Sequence, residues 1–230
     1  MPSDFASQTN SPQHMSASAA YLEHRRRGID PKRAFDVLLA LLLLPLVLPI
    51  IIVLWAMIRI PAGRRGTGFF NHTRVGQRGV MFGCLKLRTM VPDAELGLSA
   101  ILAHDPKARA EWERDVKLRN DPRVTRLGRF LRKTSLDELP QIFNVLAGDM
   151  SFVGPRPVPK DELERYGRAK FAYLSLRPGI TGAWQVSGRN NVDYNARIAM
   201  DIEYARRRNF ARDLGILART LGALLRRSGL

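Results

Sequence analysis

The stretch from Asp121 to Pro157 holds the residues best suited to chemistry. Asp137 and Glu138 stand side by side in Ser135-Leu136-Asp137-Glu138-Leu139-Pro140-Gln141. Ser135 and Glu138 have the spacing of a capping box. Pro140 fits a first helical turn, where its missing N–H costs little. The spacing therefore predicts a helix that starts at Thr134-Ser135 with both acids at its N-terminus. The helix dipole favours acids there for structural reasons alone. The same placement keeps a carboxylate ionised, as a nucleophile or a metal ligand requires. Ahead of the pair, Arg123, Arg126, Arg129 and Arg132 recur at every third residue and predict one slowly drifting helical stripe. No acid lies between Asp121 and Asp137. The stripe is either a solvated face or a seat for an anion that neutralises it.

Several other chemistries are excluded. There is no GxxxxGK[ST] phosphate loop, no GxGxxG fingerprint and no HExxH. His14, His24, His72 and His104 have no metal-ligand spacing. Cys84 is the single cysteine, so no intrachain disulfide or cysteine cluster forms. Internal repeats are absent from the sequence.

The elements that must position these residues are unevenly legible. Residues 1–28 are polar and end in a basic run, Arg25-Arg26-Arg27, and read as a disordered tail rather than a signal peptide. Val37 to Ile58 is 22 residues without a charge. As a helix it is about 33 Å long at 1.5 Å per residue, against a hydrocarbon core of about 30 Å. Pro45 and Pro49 lie inside it, and each removes a backbone donor, so a bend is expected. Arg25, Arg26, Arg27, Lys32 and Arg33 precede the run, and Arg59, Arg64, Arg65, Arg74 and Arg78 follow it. Basic residues on both sides place both ends in the cytoplasm. A helix that enters, bends and leaves on one face satisfies both flanks. Arg33 and Asp36 are expected to pair on that helix.

Further on, Gly68–Val75 and Val80–Arg88 read as a hairpin around Gly76-Gln77-Arg78-Gly79, with Leu85 and Leu87 alternating with Lys86 and Arg88. Residues 92–118 read as a helix interrupted at Asp105-Pro106. Arg177-Pro178-Gly179-Ile180-Thr181-Gly182 and Gln185–Asn190 read as tight loops with exposed Arg and Asn. Leu214, Leu217, Leu221, Leu224 and Leu225 give residues 213–230 an amphipathic helix, for core packing or for the membrane interface. The domain reading is a tail over 1–28, a re-entrant helix over 29–62, a catalytic domain over 63–212 and a terminal helix over 213–230. The fold class is α+β, mainly helical, with a small hairpin.

Of 230 residues, 37 are Lys or Arg and 21 Asp or Glu, a formal charge of +16, while 45% are hydrophobic. The apolar fraction excludes a disordered polycation. The charge calls for an anionic partner, either nucleic acid or an anionic membrane surface.

The ordered motifs resemble those of the bacterial monotopic phosphoglycosyltransferases, which start exopolysaccharide and related glycan assembly. The likeness runs from Lys32-Arg33-Ala34-Phe35-Asp36 to about residue 227. It takes in Arg74-Val75-Gly76, Lys86-Leu87-Arg88-Thr89-Met90, Asp121-Pro122-Arg123, Ser135–Gln141, Asn144-Val145-Leu146, Gly148-Asp149-Met150-Ser151, Gly154-Pro155-Arg156-Pro157 and Arg177–Gly182. The resemblance implies transfer of a sugar 1-phosphate from a UDP-sugar to undecaprenyl phosphate, with release of UMP. It implies Asp137 as nucleophile, Glu138 as a Mg²⁺ ligand, and a catalytic domain on the cytoplasmic face of the inner membrane. It also implies a re-entrant helix bent at a Ser-Pro pair. Here Pro49 matches, but Leu48 stands for the serine, so the bend falls to Pro45 and Pro49 together. The extra N-terminal membrane helices of larger relatives are not expected. Arg88, Arg132 and Arg156, with Lys86 beside them, are the candidate phosphate binders, because Arg grips phosphate oxygens in pairs. On this reading the charge answers to lipid and nucleotide-sugar phosphate, and nucleic acid is not a partner. A membrane-tethered basic scaffold and a nucleic-acid-binding protein are the competing readings.

Overall fold

The structure, a computed structural model, describes residues 30–62, 67–115, 118, 120–188 and 192–225. The tail 1–28, with Arg25, Arg26 and Arg27, lies outside the described residues. So do Arg64, Arg65, Arg189, Asn190, Arg226 and Arg227.

Helix α1 (Pro31–Ala62) is followed by a hairpin of β1 (Phe69–Val75) and β2 (Met81–Leu87). Helices α2 (Ala94–His104) and α3 (Pro106–Asp115) come next, then α4 (Arg126–Thr134). A 3₁₀ turn, Leu136–Glu138, leads to α5 (Gln141–Ala147) and β3 (Ser151–Val153). Short helices α6 (Lys160–Glu164) and α7 (Lys170–Leu174) precede β4 (Gly179–Thr181). Two longer helices follow, α8 (Tyr194–Arg207) and α9 (Phe210–Leu225). The fold is α+β and mostly helical, with two small sheets among the described residues. The β1–β2 hairpin is antiparallel with Phe69 opposite Leu87, and its turn carries Arg78 at φ 61° and Gly79 at φ 82°. β3 and β4 are parallel.

Helix α1 runs unbroken through both prolines. Asp36, Ala40, Leu43, Val47, Ile51, Leu54 and Ile58 recur at steps of three and four residues, and all face the domain. Ala40 and Ile51 share a core with Ile142, Val145, Met150 and Phe152, and Leu54 packs with Leu87 and Leu131. The other face carries Pro45, Pro49 and the exposed Leu38, Leu42, Leu46, Val53 and Ile60. Fully burying a side chain such as Ile51 stabilises by about 1.5–3 kcal/mol. The inner stripe therefore ties the helix down along its whole length.

The N-terminal charges of α1 pair otherwise than expected. Arg33 does not meet Asp36. Its guanidinium donates to the carbonyls of Val145 and Leu146, closing the C-terminal end of α5. The carbonyls there have no helical donor of their own. Asp36 is buried; it accepts from the Phe152 N–H at 3.2 Å and lies 3.9 Å from Lys32 Nζ. Lys32 in turn grips Asp213 of α9 at 2.7 Å. Tyr204 donates to the other oxygen of Asp213 at 2.6 Å, so α1, α8 and α9 meet at one clasp.

The core-packing reading of the C-terminal helix holds for one of its faces. Ile216 and Leu217 enter the core, while Phe210, Leu214 and Leu221 are exposed.

Candidate functional site

Helix α4 begins one step later than the arginine spacing predicts. Thr125 caps it, accepting from the Gly128 N–H at 2.8 Å. Arg123 lies before the cap and is buried. It binds both oxygens of Asp121, at 2.8 and 2.6 Å. The four-arginine stripe therefore does not exist. Arg123 already has its counter-ion, Arg126 and Arg129 are exposed, and Arg132 alone turns toward the acids. Gly128 allows this placement. A Cβ there would stand 2.0 Å from the Thr89 carbonyl oxygen.

The capping box is also absent. Ser135 adopts φ 59°, ψ 17°, ends α4 and makes no side-chain cap. A left-handed residue breaks the chain direction, so Asp137 and Glu138 sit on a separate 3₁₀ turn ahead of α5. Pro140 precedes α5, consistent with its missing donor.

This turn presents the pair to β2. Asp137 is buried. Lys86 Nζ donates to Glu138 Oε1 at 2.6 Å, with both side chains partly covered. Lys86 is thus not a solvated strand residue. The inward face of β2 is that of Phe82 and Cys84, and Lys86 continues it; Leu87 is buried on the opposite face, so both faces are covered. Burial raises the Asp137 carboxyl above its ordinary range. Lys86 pulls it back, Glu138 pushes it up, and Arg132 pulls it down again. Arg132 is fixed by donating its Nε–H to Thr89 Oγ1 at 2.9 Å.

Asn144 holds the turn against the strand. It accepts from the Leu85 N–H at 2.9 Å and donates to the Gly83 carbonyl at 2.7 Å. It lies seven residues beyond Asp137, on the α5 side. Asn144 and Thr89 both stand in matched motifs, and neither has a role assigned from the sequence. Neither contact is signalled by local spacing.

Arg156 is exposed, with its guanidinium 5.8 Å from the Trp184 ring, and Arg197 lies 4.8 Å from the same ring. Its charge reaches Cys84, whose thiol burial pushes up, and Arg74 on β1. The loop bearing it is tightly placed. A Cβ on Gly179 would stand 2.1 Å from the Gly154 nitrogen, so two glycines let the chains cross. Arg177 is likewise structural, donating to the Gly148 carbonyl at 3.0 Å. Arg88 is not brought to the acids. It donates to Thr67 O at 2.9 Å and Thr67 Oγ1 at 2.8 Å and lines a cleft with Trp55 and Arg59.

Magnesium prefers one or two protein carboxylates and draws its other oxygens from water and substrate phosphates. The adjacent Asp137 and Glu138 carboxylates fit that pattern. Among the described residues no group of three or more His, Cys, Asp or Glu side chains stands ready to hold a metal alone.

Comparison with known proteins adds an independent line. Residues 27–227 match the model of the bacterial sugar transferases. An undecaprenyl-phosphate galactose phosphotransferase of Salmonella typhimurium is 50% identical over 198 residues, covering 86% of this chain but 41% of the relative. The chain thus spans well under half the length of that relative. The exopolysaccharide production protein ExoY of Rhizobium meliloti is 46% identical over 193 residues, covering 84% of both chains. A UDP-glucose:undecaprenyl-phosphate glucose-1-phosphate transferase of Caulobacter vibrioides is 39% identical over 207 residues, covering 84% of this chain and 69% of its own.

Proposed function

Because the chain belongs to the bacterial sugar transferase family, we propose that it moves a sugar 1-phosphate from a UDP-sugar to undecaprenyl phosphate, releasing UMP. The observation that carries this reading is the buried Asp137 carboxylate, next to Lys86-paired Glu138 and within reach of the Lys86 and Arg132 charges. Burial raises the Asp137 pKa, and the two cations act against that shift, toward the ionised form that is able to attack phosphorus.

In the first step an Asp137 oxygen bonds to the phosphorus that bears the sugar. The P–O–P bridge breaks, and UMP leaves with the bridging oxygen. In the second step an oxygen of the lipid phosphate bonds to the same phosphorus, and the Asp137–phosphorus bond breaks. The product is a lipid diphosphate sugar, and the carboxylate is restored. Both steps bring anions together, so positioning and charge neutralisation carry the catalysis. Mg²⁺, held by Glu138 with Asp137 beside it, supplies charge neutralisation on the diphosphate when bound. Lys86 holds Glu138 in place, Arg132 acts on Asp137 through its charge, and Arg156 extends the positive surface over Trp184.

The membrane seat is part of the same reading. α1 packs against the domain along its length and turns an apolar face outward, so it does not leave the domain to cross a bilayer alone. We read it as a re-entrant helix in the cytoplasmic leaflet of the inner membrane, with Pro45 and Pro49 on the lipid side. The anionic partners are then lipid headgroups and substrate phosphates, not nucleic acid. The product begins an exopolysaccharide or related glycan.

Membranes containing the protein, incubated with UDP-glucose or UDP-galactose, undecaprenyl phosphate and Mg²⁺, should release UMP and form a lipid-linked sugar. Asp137→Asn should abolish both. Wild-type turnover in that variant would overturn the assignment.

A further inference from the structure

We propose that the cleft between the end of α1 and the start of the hairpin seats the phosphate of the lipid acceptor, a long-chain isoprenoid phosphomonoester. The inference rests on the transferase reading and goes beyond the acid pair. The cleft is open, about 620 Å³ in volume, with Trp55, Phe69 and Phe70 as walls and Arg59 and Arg88 as cations.

Its depth fits the ligand. Arg59 is the first charge after the apolar run that ends at Ile58. In a bilayer-seated helix this residue lies where hydrocarbon gives way to headgroups. Trp55, one turn earlier, suits the same boundary. A phosphomonoester on a lipid tail puts its oxygens at this depth and its first carbons against the aromatic walls.

The chemistry fits as well. Arg binds phosphate through a planar fork. The Arg88 fork is oriented in advance, by its bonds to Thr67 and by the Phe70 ring 5.9 Å away. Gly68 shapes the wall: a Cβ there would stand 2.3 Å from Trp55 Cδ1. Arg88 also bonds through its backbone N–H to the Gly68 carbonyl at 2.9 Å, so cation and wall are one unit.

The cleft is linked to the acid pair through the chain, although Arg88 itself does not touch the acids. Arg88 follows Lys86 by two residues, about 7 Å along an extended strand. Lys86 holds Glu138, and Thr89, next to Arg88, holds Arg132. One stretch of chain thus joins the cleft to both cations that act on Asp137. A bilayer phospholipid carries a related phosphodiester at the same depth. The link through Lys86 and Thr89 to the groups around Asp137, where an acceptor must deliver its oxygen, favours the acceptor.

The test uses the full chain in vesicles of zwitterionic lipid. Arg59→Gln and Arg88→Gln should raise the KM for undecaprenyl phosphate by about tenfold each, with the KM for the UDP-sugar moving far less, as expected for a lost charge-assisted contact. Arg88→Lys should restore only part of this. A photoreactive polyprenyl phosphate should label the segments containing Trp55 or Phe70 even in the Asp137→Asn protein. Equal rises in both KM values, or labelling confined to other segments, would overturn the cleft assignment. So would competition by anionic phospholipid that displaces the label. Labelling does not depend on turnover, so failure of the transferase reading and failure of the cleft are read separately.

Discussion

Replacing Lys86 with Met tests the electrostatics of the acid pair most directly. The substitution keeps the length of the side chain and removes one charge. Two effects act in the same direction. Asp137 loses the strongest charge that pulls its carboxyl down, and Glu138 loses its 2.6 Å partner. Both raise the Asp137 pKa further above the ordinary range. The magnitude lies between two limits. An exposed ion pair is worth about 0.2–1 kcal/mol, and breaking a fully buried one costs about 3–5 kcal/mol. The Lys86 and Glu138 side chains are 23% and 31% exposed, so the lost pair falls between those limits, at roughly 1.5 kcal/mol. The nucleophile works ionised, and its active fraction is lost as pH falls through its pKa. The acid limb of the transfer rate should therefore move to the alkaline side in Lys86→Met. Lys86→Arg should return it. The assay is the initial rate of UMP release against pH at saturating UDP-sugar. A uniform loss of rate at every pH, with the acid limb unmoved, would refute the reasoning and make Lys86 a substrate-binding cation only.

Three more predictions follow from packing and burial. Asn144→Ala should lower stability by about 2–3 kcal/mol, since it strips a partner from the Leu85 N–H and the Gly83 carbonyl; thermal melts in detergent measure this, and a change under 0.5 kcal/mol would contradict it. Asp201 is buried against Tyr166, and its pKa is raised to about 7 from an ordinary 3.8. The native state then holds a proton that the unfolded chain releases, so stability falls as pH rises through that window. Asp201→Asn should gain in melting temperature on the wild type across the same window and match it at the acid end; a constant difference would argue against this. Ile51→Ala should cost about 2–5 kcal/mol, while Leu46→Ala, one turn away on the outer face, should change stability by about 0.5 kcal/mol or less. Equal costs would show that the inner stripe of α1 is not what fixes it.

How much of this was legible in the sequence depends on the range of each contact. Asp137 and Glu138 stand out because two adjacent acids in a dense motif need no third dimension, and the family resemblance gives them a role that spacing does not. The hairpin was found from alternation and a glycine-bearing turn, and the long apolar helix from composition. The arginine stripe was misread because period-three spacing ignores where the helix starts. Thr125 starts it after Arg123, and Asp121 has already claimed that arginine. The capping box failed because its spacing assumes an extended Ser135, and Ser135 is left-handed. Arg33 was paired with Asp36 as its helical neighbour, yet the carbonyls of Val145 and Leu146 lie more than a hundred residues on. Lys86 and Glu138, 52 residues apart, meet for the same kind of reason. Contacts of that range belong to the fold, and single-sequence patterns do not carry them.

The single inner stripe of α1 bears on how the chain takes up the proposed membrane seat. A peripheral enzyme leaves a bilayer by releasing lipid, with its fold intact, and its activity can be set by recruitment. In this helix core-building and outward-facing residues alternate within the same turns, so Leu46 and Val47 are neighbours in the chain with opposite duties. Releasing the outer face to water would leave the fold with a long apolar ridge, and withdrawing the inner face would open the core around Val145 and Leu131. On the proposed membrane seat, insertion and folding are then a single event, because the same turns serve lipid and core.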